Sequence, residues 1–139
     1  MESQPLEWEE LLASLRHGLP QPVREEVSAD GSTILIGGDP GEVVVRLTIA
    51  SLTVLEYAVE WQGPHDSVVA PVELGTLRWP ELPGVQAMRA VDALVAAARD
   101  LRRSKYTTCR LCERPHPPEA MHDDEVCQRC AQAHLGVVY

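Results

Sequence analysis

The spacing of apolar residues switches between two periods along this chain, and the switches predict its elements. Near the start, Trp8, Leu11, Leu12 and Leu15 fall at i, i+3, i+4 and i+7, which makes one apolar stripe of a helix over residues 5–17. Pro5 suits the first helical position, and Glu7, Glu9 and Glu10 suit the positive end of the helix dipole. Gly18, Pro20 and Pro22 then stop the pattern. Period two takes over. Thr33–Ile36 is a short β-rich run, and Gly37-Gly38-Asp39-Pro40-Gly41 is a dense turn signal. In residues 42–49, Val43, Val45, Leu47 and Ile49 point one way and Val44, Arg46 and Thr48 the other. In residues 54–61, Leu55, Tyr57, Val59 and Trp61 share one face, with Glu56 and Glu60 opposite. Residues 67–72 suggest a further strand, which Pro71 confines to an edge or an end.

The helical period returns over residues 85–103. Met88, Val91, Leu94, Val95, Ala98 and Leu101 form an apolar face, and Arg89, Asp92, Arg99 and Arg103 line the other side. The order predicts an α+β fold: a short N-terminal helix, an antiparallel β-meander of three to four strands, and a long amphipathic helix packed on the sheet. Residues 73–84, with Pro80 and Pro83, read as an irregular connection. Arg46 could pair across strands with Glu56 or Glu60.

Composition refines this picture in three ways. The chain has no Phe, so the core rests on Val, Leu, Ile and Ala. The net charge of −9 is uneven: residues 1–98 carry 15 acids against five Arg, and residues 99–139 carry six acids against seven basic residues. The acidic part repels phosphate backbones and suits a basic partner. The N-terminus lacks the basic start and apolar run of a secretory signal, and no uncharged stretch nears the ~18 residues of a membrane span. A soluble cytoplasmic protein without a membrane partner is the expectation, in a compartment that favours metal over disulfides for paired cysteines.

All four cysteines lie in the last third as two Cys-x-x-Cys pairs, Cys109/Cys112 and Cys127/Cys130. Two such pairs supply four thiolates to one tetrahedral zinc ion. A complete set leaves no position open for a reacting water, so one structural zinc is expected rather than a catalytic one. A thioredoxin-like redox site would need a single pair within a βαβ unit, which the pattern lacks. Neither pair carries the following Gly common in zinc ribbons. Instead, Ala131-Gln132-Ala133-His134-Leu135 reads as a short helix closed by Gly136, so the second pair opens a helix. Residues 106–139 thus resemble a treble-clef zinc finger. The resemblance implies a first knuckle on a hairpin and a second on a helix. It leaves function open, since treble clefs occur in ribosomal proteins, HNH-type nucleases and protein-binding adaptors. The HNH pattern of catalytic His and Asn is not matched. Two units are expected: an α+β domain over 1–104 and a zinc-binding module over 105–139.

Between the pairs, His116 and His122 could replace a ligand or donate to the thiolates, and solvent-exposed loop histidines are the plainer reading. His134 suits packing, and His17 and His65 show no partner in the sequence. Glu56 and Glu60 could form an acid/base pair or simply a solvated sheet face. No nucleophile elbow, phosphate-binding glycine loop or His-Glu-x-x-His motif occurs.

Three functional readings follow. The first is a non-enzymatic binding or regulatory protein, inhibitor-like or immunity-like, acting through protein–protein contacts. The second is nucleic-acid binding by the Arg-rich stretch beside the zinc module, where Arg99, Arg102, Arg103, Lys105, Arg110 and Arg114 cluster. Against it stand the overall acidity and few interleaved aromatics. The third is an enzyme, for which the sequence shows no catalytic residue.

Overall fold

A computed structural model describes residues 4–64 and 66–139, so the expectation for His65 lies outside the described residues. The chain forms a five-stranded antiparallel sheet with two helices, followed by a small cysteine-bearing module with a third helix. The class is α+β, as the hydrophobic periods predict. No helix is long and apolar enough to cross a membrane.

The first helix, α1, spans Trp8–Gly18, not residues 5–17. Glu7 caps it, its backbone N–H donating to Glu10 Oε1 at 3.2 Å. Pro5 therefore lies before the helix. The tertiary reason is that the Gln4 carbonyl accepts the Gly84 N–H at 2.8 Å, which draws the segment away as extended chain. Leu11, Leu12 and Leu15 are buried, as the stripe predicts.

Five strands follow in meander order: β1 Val23–Val27, β2 Thr33–Gly37, β3 Val43–Leu47 and β4 Leu52–Glu56, then β7 Val72–Leu77, which pairs with β4. Between β4 and β7 the chain leaves the sheet as a separate hairpin, β5 Val59–Trp61 with β6 Ser67–Val69. Strand β1, Val-Arg-Glu-Glu-Val, was invisible to a hydrophobic pattern because it is an edge strand with four exposed residues. The run over 54–61 does not form one strand. It breaks after Glu56, where Ala58 instead accepts the Ala70 N–H at 2.8 Å to start the hairpin. The residues 73–84 expected as connection include most of β7, whose register on β4 shifts at Val54/Leu55.

Facing also differs from expectation on β4. Val43, Val45 and Leu47 point into the core as predicted, joined by Leu35, Leu52 and Val54. Glu56 sits opposite Val43 and shares that face, while Leu55 lies opposite Val44 on the reverse side. All five β4 residues are buried, so alternation could not tell its two faces apart. Arg46 stands opposite Thr53 and Ile34, and Glu56 pairs elsewhere. Ile49 is 82% exposed beyond the end of β3. There Thr48 Oγ1 accepts the N–H groups of Ala50 and Ser51 at 3.2 and 2.9 Å and turns the chain.

The long helix α2, Gly84–Ser104, lies on the sheet against β3, β4 and β7. Its buried stripe runs Ala87, Val91, Ala98 and then Arg102, with Met88, Leu94 and Val95 packed beside it. Leu101, expected on the apolar face, is 42% exposed. Arg102 takes the buried place because it follows Ala98 by four residues. Trp79 closes one end of the core, donating Nε1–H to Thr48 O at 2.9 Å and meeting the Trp8 ring at 6.4 Å.

The turn between β2 and β3 is tight against the rest of the fold. A Cβ on Gly41 would stand 2.5 Å from the Tyr57 ring. Gly41→Ala is expected to destabilise the protein by about 1–3 kcal/mol, read as a lower urea midpoint at unchanged slope. An unchanged midpoint would show that the Tyr57 ring moves aside freely.

Candidate metal centre

The candidate metal centre is built by a minimal hairpin and a helix of about two turns. Strands β8 Thr107–Thr108 and β9 Pro115–His116 pair so that the first cysteine pair lies in their connecting loop. Cys109 N–H donates to Arg114 O at 3.0 Å and Glu113 N–H to Cys109 O at 2.8 Å. Glu113 takes a positive φ of 61° to close this knuckle. The second pair brackets the start of helix α3, Gln128–His134: Cys127 is its N-cap, and its Sγ accepts the Cys130 N–H at 3.5 Å. Gly136, at φ 71°, ends it.

Backbone bonds lock the two halves together. Arg110 N–H donates to Glu125 O at 2.8 Å, and Met121 bridges Cys127. Asp123 Oδ1 accepts the N–H groups of Glu125 and Val126, both at 2.8 Å, and these hold its carboxyl below the usual range. A small second core of Met121, Val126 and Ala131 surrounds the sulfurs.

The four cysteine sulfurs lie within 4.8 Å of one another. A tetrahedral ion with bonds near 2.3 Å spaces its thiolates by about 3.8 Å, so the set fits a single metal ion. Cys109, Cys127 and Cys130 are buried, and Cys112 is partly exposed. Their protonation is uneven. Burial raises the Cys109 thiol, but N–H groups of Cys112, Cys127 and Leu111 outweigh it and bring it to about 6. Burial and hydrogen bonds from Cys127, Cys109 and Cys112 push the Cys130 thiol up to about 12. Four packed thiols without a cation share protons because four adjacent negative charges repel. A dication would replace those protons.

The histidines divide. His116 Nε2 lies 3.3 Å from Cys112 Sγ, outside the sulfur cluster but touching it. His122 is away from the sulfurs and hydrogen-bonds Tyr139 through Nδ1. Glu56 and Glu60 do not form a pair. Glu56 is buried at 2% exposure against Lys105, and Glu60 is exposed on β5 in another sheet.

The Arg-rich stretch is largely taken up in ion pairs, with Arg102 alone buried. Arg99 and Arg103 both reach Glu42, at 3.6 and 2.5 Å, and Lys105 Nζ meets Glu56 at 2.6 Å. Arg110 meets Glu125 at 3.3 Å. Arg102 is 1% exposed. Its Nε–H donates to Gly41 O at 2.9 Å, and its terminal nitrogens donate as a fork to Glu119, one at 3.0 Å. The Tyr57 and Tyr106 rings lie 5.0 and 5.4 Å from its guanidinium. Glu119 belongs to the cysteine module, and its backbone carbonyl accepts from Gln128 on α3 at 3.1 Å. Of the six basic residues, only Arg114 has no carboxylate partner among the described residues. Composition shows such a cluster as free charge, because the acids that neutralise it are distant in sequence: Glu42 lies 61 residues from Arg103, and Glu56 49 from Lys105.

No protein-family model, no curated protein and no solved structure matches this chain.

Removing the guanidinium fork should cost more than removing the whole pair. Arg102→Met leaves Glu119 half-buried without a partner and is expected to cost about 3 kcal/mol. The Arg102→Met, Glu119→Met double variant should recover part of that loss. Equal stability of the two variants in chemical denaturation would show that the pair is not coupled.

Proposed function

We propose that this chain is a zinc-stabilised, non-catalytic binding protein whose single zinc ion is structural. The observation that carries this reading is the closed set of four sulfurs, joined to the sheet domain through Glu119 and Arg102. Four thiolates fill all four positions of a tetrahedral ion and leave none for substrate or water. Zinc is the metal that a four-thiolate tetrahedral site favours in a chain without redox partners in view. The hairpin knuckle followed by a helix-borne pair supports a treble-clef-like module over residues 105–139, beside an α+β domain over 1–104. In this proposal the zinc builds the module, and the module braces the sheet domain rather than acting alone.

The surface that suits a partner is the β5–β6 hairpin. Trp61 is 45% exposed there and shares a face with the exposed Val69, while Glu60 pairs with Val68 on the other face. An exposed Trp beside an exposed Val, on a chain with a net charge of −9, fits a basic protein that buries an apolar anchor. A cytoplasmic setting goes with this reading, since it keeps the thiols reduced for metal.

Metal analysis of purified protein should give one zinc per chain. Cys109→Ser or Cys127→Ser should abolish stoichiometric binding. Because structural zinc contributes on the order of 10 kcal/mol in small modules, a strong chelator should lower the melting temperature steeply. A metal-free protein with an unchanged melting curve would overturn the structural-zinc reading. The partner reading is tested with a protein captured from the native host and then purified. Trp61→Ala should weaken its binding at least about tenfold, as for an interface anchor. Undiminished binding by that variant would move the interface elsewhere.

A further inference from the structure

Seven of the described basic residues are held in ion pairs, from Arg16 with Glu25 to Arg110 with Glu125. Arg114 and Arg129 are not among them. The fold brings these two arginines, 15 positions apart in sequence, to one open cleft of about 350 Å³ beside the cysteine cluster. His116, His134 and Ala133 line the same cleft, and three of the four cysteines, Cys112, Cys127 and Cys130, form the side that faces the metal centre. Among the described residues no carboxylate lines it, in a chain with 21 acids.

The plain alternative is that the arginines answer the thiolates. A zinc tetrathiolate carries a formal charge of −2, and two guanidinium groups offset it. If that were their whole role, their N–H groups would point at sulfur. The donors on the sulfurs are others: Leu111 N–H and Cys130 N–H, with His116 Nε2 against Cys112. Arg114 and Arg129 are both exposed residues that line the cleft. Their charge cancels the local repulsion of the thiolates, and their planar forks remain available to an oxyanion.

We propose that this cleft binds the phosphate group of a small organic phosphate, held between the Arg114 and Arg129 guanidinium groups with His116 and His134 at its sides. Size and field both favour a small ligand over a nucleic acid. The volume sits at the lower end of small-molecule sites. The cations that would extend a backbone track, Arg99 to Arg110, are already neutralised by acids of the same chain. The net charge of −9 repels a long polyanion but acts less on one phosphate.

The test is an amide and arginine-side-chain NMR titration of the zinc-loaded protein with inorganic phosphate and with glycerol phosphate, at constant ionic strength set by chloride. Saturable shifts confined to residues 112–116 and 127–134 are expected. Arg114→Gln, Arg129→Gln should weaken binding at least about tenfold, as loss of two charge-assisted forks requires. Should that variant not fold, Arg129→Lys keeps the charge, loses the fork, and should still bind several-fold more weakly. Shifts no larger than those of chloride alone, or equal affinity in the variants, would overturn the proposal. So would a variant that loses zinc affinity with phosphate binding unchanged, which would assign the arginines to the thiolates alone. A single-stranded oligonucleotide binding more than tenfold tighter than glycerol phosphate, with shifts spreading past the cleft, would replace the small ligand by a nucleic acid. None of these readouts depends on the partner proposed for the β5–β6 hairpin.

Discussion

A buried guanidinium must find acceptors, and much of this architecture follows from how Arg102 finds them. The side chain cannot lose its proton, so its charge stays wherever helix α2 places it. Its position after Ala98 on the buried stripe places it against the β2–β3 turn, where burial without partners would cost several kcal/mol. The turn carbonyl of Gly41 satisfies one donor and Glu119 of the cysteine module satisfies two. The rings of Tyr57 and Tyr106 cover what remains. One residue thus ties together the β2–β3 turn, the long helix and the metal-site module.

This arrangement would give a metal held by the four cysteines a role beyond its own loop. Glu119 is held by the segment between the cysteine pairs, and Gln128 on α3 grips that segment's backbone. The position of Glu119 therefore depends on the fold of the small core around the sulfurs. An ion that organises that core also positions the acceptor for Arg102. Metal binding there would be linked to packing of the larger domain through this charge pair, as linkage requires when two events share a structural element. The other ion pairs on this seam, Glu42 with Arg99 and Arg103 and Glu56 with Lys105, reinforce the same junction from the sheet side.

The reverse side of the module looks outward. There two arginines without carboxylate partners among the described residues line one cleft, while the rest of the Arg-rich stretch is held in internal pairs. Charge counted along the sequence placed the free cations at 99–114; in three dimensions they are at 114 and 129. The shift arises because ion pairing acts through space. Glu42 before β3, Glu56 on β4, and Glu119 and Glu125 between the cysteine pairs reach the stretch from Arg99 to Arg110, whereas no described acid lines the cleft.

Local patterns in the sequence were enough to specify several features. The apolar stripe of α1, the inward face of β3, the length of α2 and the metal-binding spacing of Cys109, Cys112, Cys127 and Cys130 each depend on neighbours within a few residues. The helical opening at Cys127 was legible for the same reason, from Ala131 to Gly136. Other features were decided only by the tertiary fold. The edge strand β1 is polar because one side of it meets solvent. Strand β4 is buried on both faces, which erases the alternation that would assign them. The break after Glu56 exists because Ala58 pairs with Ala70 rather than with the sheet. The fates of Glu56, Arg102 and the neighbouring arginines depended on partners up to 61 residues away. Periodicity records what a segment needs to bury, whereas the identity of the group that meets a buried charge is set only when distant segments are brought into contact.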